Sequence, residues 1–135
     1  PGDVVEMRDQ KLIINGQIAD YAEVVEPDPA HLTPKREYPN QQLMFTEKLG
    51  SFQHNILVMP ERPALRTFDP VTVPAGYYMM LGDNRDNSND SRFYGLVKRE
   101  LITGRVNRLM FSLDYDNYYL PRVERFGAKL TQSDH

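Results

Sequence analysis

The sequence predicts an all-β fold, a barrel-like or sandwich-like domain, and three observations support this prediction. Apolar and polar residues alternate with a period of two through most of the chain, whereas no segment keeps a helical period over three turns. Turn-forming residues separate the alternating runs, most clearly at Asn15-Gly16, where both residues accept the positive φ of a type I′ hairpin turn. Hydrophobic residues make up 40% of the chain and charged residues 26%, a balance typical of a folded domain.

The alternating runs define the strands in order along the chain. The first two strands flank a turn at 8–10, the third follows the Asn15-Gly16 turn, and the next two form a hairpin around Leu49-Gly50-Ser51. A further turn at Pro74-Ala75-Gly76 separates two more strands. The predicted strands are 4–7, 11–14, 17–22, 42–48, 53–59, 71–73, 77–81, 94–97 and 103–113, with one helical turn at 99–102.

Prolines divide the chain into a regular core and an irregular region. Four of them stand between residues 26 and 40, and each removes a ladder donor and fixes φ, so this stretch is predicted to be irregular. A second proline-bearing connection runs from 60 to 70. We therefore assign residues 1–25 and 71–135 to a β core and residues 26–70 to a variable, proline-rich β insertion.

Composition excludes several classes of function. A net charge of −3 and a pI near 5.6, without a clustered basic face, argue against nucleic-acid binding. The absence of cysteine excludes disulfides and thiolate metal sites. No apolar run approaches the roughly 20 residues that span a bilayer, and no signal peptide is visible, so we expect the chain itself to be soluble and any anchor to lie outside it. We interpret the start within Pro1-Gly2-Asp3 as a truncation.

A polar segment at 82–92 follows the apolar run 78–81 and carries the candidate chemistry. One interpretation is a solvated turn, because Asn, Asp and Ser favour turns. Two arginines among three acids favour instead a self-paired network that holds the loop rigid. The polar side chains of the segment are Asp83, Asn84, Arg85, Asp86, Asn87, Ser88, Asn89, Asp90, Ser91 and Arg92.

Two other kinds of site fit this segment poorly. An EF-hand calcium loop fails in both frames, because a start at Asp83 places Arg85 at position 3 and a start at Asp86 places Val97 at position 12. A Ser-His-Asp triad with Ser88 or Ser91 as nucleophile needs a histidine base. The three histidines stand in a proline-rich loop, a predicted strand and the last position: His31, His54 and His135. We expect no metal and no cofactor.

The same segment resembles the most characteristic sequence box of bacterial type I signal peptidases. That box reads GDNRDNS, a variable residue, DSR and, after two residues, G and V. Residues 82–92 match it at every position, Asn89 fills the variable slot, and Phe93-Tyr94 forms the spacer. A shorter match supports this one, because Pro1-Gly2-Asp3 resembles the end of the family box that runs from the catalytic lysine through an RxxGxPGD pattern.

The resemblance implies a membrane-bound serine endopeptidase with an all-β catalytic domain, to which the β core would belong. Such enzymes remove signal peptides from exported preproteins on the outer side of the cytoplasmic membrane, with a Ser/Lys dyad. In the family both dyad residues precede the position of Pro1, so we expect this chain to be inactive alone and to pair with a missing N-terminal part of the same protein. The lysine must be desolvated to act as a base near neutral pH.

The resemblance also assigns roles by motif position. Ser88 is implied to orient the catalytic lysine, as a helper and not as the nucleophile, and Gly82 to pack against that lysine where a Cβ would crowd it. Four charged residues are implied to form an ion-pair frame: Asp83, Arg85, Asp90 and Arg92. The others are implied to satisfy backbone groups of that frame: Asn84, Asp86, Asn87 and Ser91.

The C-terminal region suggests contact with the membrane interface, where tyrosine's amphipathic ring is favoured. The residues concerned are Met110, Tyr118, Tyr119 and Leu120. An ordinary core strand followed by an exposed tyrosine loop is the alternative. For the whole chain, the rival to a peptidase is a non-enzymatic β-domain that binds a peptide or a partner protein.

Overall fold

The computed structural model describes residues 1–25, 27, 32 and 41–104, together with the backbone of two short strands at 113–114 and 120–121. Within these residues nearly all of the regular structure is antiparallel β-sheet, with one short α-helical turn and one 3₁₀ turn. The all-β prediction is therefore confirmed. In the described part of the chain, no helix is long and apolar enough to cross a membrane.

The first sheet has four strands in the order β3-β2-β1-β7. Both of its tight turns have positive φ: 52° and 78° at Asn15 and Gly16, as predicted, and 47° and 70° at Asp9 and Gln10. Because Asp9 and Gln10 form the whole first turn, Arg8 belongs to β1 and not to the turn predicted at 8–10. The strands are β1 (Val4–Arg8), β2 (Lys11–Ile14), β3 (Gln17–Ile18) and β7 (Phe68–Thr72).

Strand β7 begins earlier than predicted and contains Pro70. The sequence analysis placed this residue in a connection, because proline cannot donate to a β ladder. The structure tolerates it for two reasons: β7 is an edge strand, and its pairing with β1 shifts register between Val5 and Met7.

The second sheet has the order β4-β5-β6. The single strand predicted at 17–22 is wrong, because the chain changes sheets at Ala19, which is buried and donates its amide to the Leu12 carbonyl at 2.9 Å. The predicted hairpin around Gly50-Ser51 is confirmed. The strands are β4 (Asp20–Glu23), β5 (Leu43–Leu49) and β6 (Phe52–Val58).

The region after β7 is less strand-like than predicted. Of the strand predicted at 77–81 only β8 (Tyr77–Tyr78) forms, paired with β9 (Val97–Lys98). The strand predicted at 94–97 is wrong over its first residues, because Asp90 caps a helical turn, α1 (Ser91–Tyr94), which ends at Gly95 with a φ of 87°.

The predicted helical turn at 99–102 forms as a 3₁₀ helix at Arg99–Leu101. Of the strand predicted at 103–113, Thr103 and Gly104 are not in a strand and residues 105–112 lie outside the described residues. A last hairpin pairs β10 (Leu113–Asp114) with β11 (Leu120–Pro121). The division of the chain into a core and an insertion at 26–70 stays a prediction.

The 82–92 segment is fastened to the second sheet by main-chain hydrogen bonds. Asn84 forms a parallel bridge with Leu57 of β6, in which the Leu57 amide donates to the Asp83 carbonyl and the Arg85 amide donates to the Leu57 carbonyl, both at 2.8 Å. Just before the segment, Met79 and Leu81 pack against the core of the first sheet. The segment therefore lies where both sheets can position it.

Candidate functional site

Ser88 fills the space beside Gly82. A Cβ built on Gly82 would overlap the Ser88 hydroxyl and would lie 3.5 Å from Oδ2 of Asp90. The requirement for glycine is one of space, since the backbone here has no positive φ. The segment thus folds back on itself, and its first residue meets the residue predicted to orient a lysine.

The Asp90 carboxylate forms hydrogen bonds with both ends of the segment. Its oxygens accept hydrogen bonds from the Gly82 amide at 2.9 Å, from the Arg92 amide at 3.1 Å and from Nε and Nη2 of Arg92 at 2.8 and 2.7 Å. The Ser88 hydroxyl donates to the same carboxylate. Burial alone would raise the pKa of Asp90, but the hydrogen bonds from Arg92, Gly82 and Ser88 lower it to about 2.

Arg92 is the buried counter-ion of Asp90, with 1% and 5% of the two side chains exposed. Its guanidinium also donates to the carbonyls of Arg85 at 2.7 Å and Leu65 at 3.2 Å. Arg92 therefore holds two stretches of backbone besides neutralising the carboxylate. This is the one ion pair within 82–92 that the structure describes.

Arg85 pairs outside the segment, with Glu47 of β5. Nη1 and Nη2 of Arg85 donate to the two Glu47 oxygens at 2.8 and 2.6 Å, and the Glu47 side chain is fully buried. The Tyr21 hydroxyl donates to Glu47 at 2.6 Å, and Nε2 of His54 lies 3.3 Å from it. Burial would raise the pKa of Glu47, but hydrogen bonds from His54, Arg85 and Tyr21 lower it to about 2.

Sequence reasoning did not identify Glu47 as a partner. Arg85 lies 38 positions after Glu47 in the sequence, and no motif links the two residues. One signal was present: strand alternation places Glu47 on the same face as Leu43 and Phe45. A charge on an apolar strand face indicates a buried partner, because an unpaired buried charge is costly.

Asp86 also pairs outside the segment, and its carboxylate is fully buried. It accepts from the Met59 amide at 2.8 Å, from Nε2 of Gln10 at 3.1 Å and from Nη2 of Arg66 at 3.1 Å. These donors come from the end of β6, the β1–β2 turn and the connection before β7. Asp86 therefore joins the segment to both sheets, a larger role than the backbone-satisfying one assigned by motif position.

The other predicted residues act mainly through the backbone. Ser91 exchanges hydrogen bonds with Met80: its hydroxyl accepts from the Met80 amide at 2.9 Å, and its own amide donates to the Met80 carbonyl at 3.0 Å. The Asn87 amide donates to the Asn84 carbonyl at 3.1 Å. The Asp83 side chain is 80% exposed and lies 3.9 Å from Nε2 of His54, so it stands at the rim of the buried network.

A cleft of about 350 Å³ opens beside this network. Its lining includes Pro1 and Asp3 as well as Leu81 and Asp83, the two neighbours of Gly82. Most of its wall is apolar, and four charged or titratable side chains form a polar end. The apolar residues are Val5, Leu12, Ile14, Leu49, Val73, Tyr78, Met79 and Leu81, and the polar end consists of Glu47, His54, Asp83 and Arg85.

Several candidate residues lie elsewhere. Of the predicted membrane-contact residues, Met110, Tyr118 and Tyr119 lie outside the described residues, and Leu120 is described only as backbone of β11. His31 and His135 are also outside them, while His54 belongs to the Arg85 cluster. Within the described ranges no group of acids and histidines is arranged to hold a metal ion.

Comparison with known proteins assigns the chain to a peptidase family. The family described as signal peptidase, peptidase S26, matches residues 1–111. The signal peptidase I of Pseudomonas aeruginosa is 36% identical over 95% of this chain and 46% of its own length. That of Pseudomonas fluorescens is 34% identical over 94% of this chain and 46% of its own length. The signal peptidase I of Aquifex aeolicus is 58% identical over 40 residues, 30% of this chain and 16% of that protein.

The chain belongs to the signal peptidase family, peptidase S26. The family resemblance predicted from residues 82–92 and Pro1-Gly2-Asp3 is thereby confirmed. The chain spans less than half the length of the two Pseudomonas relatives.

Proposed function

We propose that this chain is part of a membrane-bound type I signal peptidase, a serine endopeptidase that removes signal peptides from exported preproteins. Family membership and the match of 82–92 to the family box support the proposal. A serine would attack the scissile carbonyl and a neutral lysine would accept its proton. We assign the serine and the lysine to residues before Pro1. In the family box the catalytic lysine precedes the match at Pro1-Gly2-Asp3, and none of the lysines of this chain stands there: Lys11, Lys35, Lys48, Lys98 and Lys129.

The contact among Gly82, Ser88 and Asp90 carries the proposal. The Ser88 hydroxyl donates a hydrogen bond to the Asp90 carboxylate. A hydroxyl that donates to a carboxylate keeps its oxygen lone pairs as acceptors for an N–H group. Ser88 is therefore suited to accept a hydrogen bond from a lysine amine and to fix the direction of the amine's own lone pair. The absence of a side chain at Gly82 leaves the space in which the Ser88 hydroxyl lies.

The cleft suits a lysine that must be neutral. A lysine titrates near 10.4 in water, and burial in apolar surroundings lowers that pKa by disfavouring the ammonium. Pro1 lines the cleft together with apolar residues such as Met79 and Leu81. A side chain a few residues before Pro1 could reach this wall. We propose that the cleft desolvates the lysine base and that the 82–92 network holds its orienting hydroxyl.

Location and partners follow from the same proposal. The catalytic domain would stand on the outer side of the cytoplasmic membrane, bind the signal peptides of preproteins, and pair with the N-terminal part of the same protein. Contact with the membrane interface is also part of this proposal, because the amphipathic ring of tyrosine is favoured there. The residues concerned are Met110, Tyr118, Tyr119 and Leu120.

The test compares the full-length protein with this chain alone on a peptide that contains an Ala-x-Ala cleavage site. The full-length protein is expected to cleave it, and the chain alone to leave it intact, because catalysis without nucleophile and base is small beside the intact site. Cleavage by the repurified chain alone would return Ser88 or Ser91 to consideration as a nucleophile. Binding without cleavage by both would favour a non-enzymatic peptide-binding domain.

A further inference from the structure

Besides the main-chain bridge at Leu57, the β5–β6 hairpin contacts the 82–92 segment through the buried carboxylate of Glu47. Glu47 is fully buried and binds both terminal nitrogens of Arg85, while the Tyr21 hydroxyl occupies one of the same oxygens. Desolvated charge-assisted bonds of this bidentate kind fix orientation as well as distance. Glu47 lies outside the family box and outside every role assigned above from motif position.

From Glu47 a continuous series of hydrogen bonds leads to Ser88. The Arg85 carbonyl accepts from Nη2 of Arg92 at 2.7 Å. The Arg92 guanidinium holds Asp90 at 2.7 and 2.8 Å, and Asp90 in turn binds the Gly82 amide and the Ser88 hydroxyl. Every side-chain link in this series involves a charged group, and hydrogen bonds to charged groups are roughly twice as strong as neutral ones.

We propose that Glu47 is a positioning residue for the Ser88 hydroxyl, acting through Arg85, Arg92 and Asp90. The inference rests on the proposed function of Ser88. Without the carboxylate, the Arg85 guanidinium would be a buried charge with no counter-ion, and it lines the cleft through which it could turn toward solvent. Loss of the two Glu47–Arg85 bonds, with or without the guanidinium, would release the Arg85 backbone, shift its carbonyl and with it the position of Arg92.

Two variants of the full-length protein separate positioning from stability. Glu47→Gln keeps the shape of the side chain but removes its charge. Glu47→Met/Arg85→Met removes both charges, and replacing a buried ion pair by apolar side chains of similar volume is often neutral for stability. The matched control is Glu6→Gln, which removes a carboxylate from the Arg8–Glu6 pair on β1, outside the segment.

The readouts are melting temperature, hydrogen exchange of the peptide that contains Gly82, and steady-state kinetics. Glu47→Gln is expected to lower the melting temperature, speed exchange at Gly82 and lower kcat by about 10- to 100-fold, with KM changed less than about twofold. The double variant is expected to regain melting temperature while exchange and kcat stay altered. Glu6→Gln is expected to change none of these quantities.

Two results would overturn the inference: unchanged Gly82 exchange in Glu47→Gln, or recovery of kcat together with melting temperature in the double variant. If Glu47→Gln does not fold, the double variant still decides between positioning and stability. If the unmodified protein cleaves no signal peptide, the proposed function fails, whereas the exchange measurement still tests the coupling from Glu47 to Gly82.

Discussion

The Ser88 side chain occupies the space in which a Cβ on Gly82 would lie. This contact places the first residue of the 82–92 segment against its seventh, and the Asp90 carboxylate binds both of them. A catalytic lysine oriented by Ser88 would therefore meet a hydroxyl held in place, because Asp90 cannot move without breaking its buried ion pair with Arg92 and its hydrogen bond from the Gly82 amide.

Gly82→Ala is expected to lower both stability and activity. The added methyl group must displace Ser88, and overpacking of this kind costs about 1–3 kcal/mol. Gly104→Ala is the matched control, because a Cβ there meets no atom of the described residues within 4 Å and its backbone has no positive φ. Urea unfolding of both variants gives the stability difference, and kcat of the full-length protein gives the effect on the site. Equal stability and equal kcat in the two variants would contradict the prediction, because Ser88 would then move aside at no cost.

Asp90→Asn and Arg92→Gln are expected to destabilise the domain strongly and non-additively. The pair is buried, and removing one partner of a buried pair costs about 3–5 kcal/mol because the other charge remains uncompensated. Urea unfolding of both single variants and the double variant yields the coupling energy. The exposed Arg8–Glu6 pair supplies the comparison, with an expected coupling below about 1 kcal/mol. A coupling energy near zero between Asp90 and Arg92 would contradict the prediction, because it is the value expected for an exposed surface loop.

Stability is expected to depend on pH at two ends of the range. The hydrogen bond to Glu47 raises the pKa of His54 above 6.5, although burial opposes this. The stabilisation from protonated His54 is therefore complete below pH 6.5 and is lost as pH rises through the folded-state pKa. The pKa values of Asp90 and Glu47 are lowered to about 2, so their contribution is lost as pH falls from about 4 towards 2.

Urea unfolding between pH 2 and pH 9 measures both effects. His54→Asn is expected to remove the loss of stability on the alkaline side. On the acid side it is expected to reduce the contribution of Glu47, whose pKa His54 helps to lower, and to leave that of Asp90 unchanged. A His54→Asn variant whose stability still falls in the same alkaline range would show that another group titrates there.

Local sequence rules predicted much of this fold. The Asn15-Gly16 turn and the hairpin around Gly50-Ser51 formed as expected, because turn chemistry and strand alternation are local properties. The change of sheet at Ala19 was not predicted. It depends on which partner strands flank Gln17–Ile18 and Asp20–Glu23, and these pairings are set by tertiary contacts and not by alternation.

The site was predicted only in part for the same reason. The motif identified Asp90 and Arg92, which are two residues apart and pair with each other. It did not identify Glu47 or Arg66, the partners of Arg85 and Asp86, because those contacts join segments distant in sequence. The sequence predicted a network in which the charges of 82–92 pair with one another. Arg85 and Asp86 instead pair with residues outside the segment, on β5 and in the connection before β7.

The most direct test of the account is the kinetics of Ser88→Ala in the full-length protein, with Ser51→Ala in the exposed β5–β6 turn as the matched control. If Ser88 orients the lysine base and does not hold substrate, cleavage of an Ala-x-Ala peptide should lose about 10- to 100-fold in kcat, with KM changed less than about twofold. Ser51→Ala should match the unmodified protein. An unchanged kcat in Ser88→Ala would contradict the account, because the hydroxyl that Asp90 and Gly82 hold in place would then have no part in the reaction.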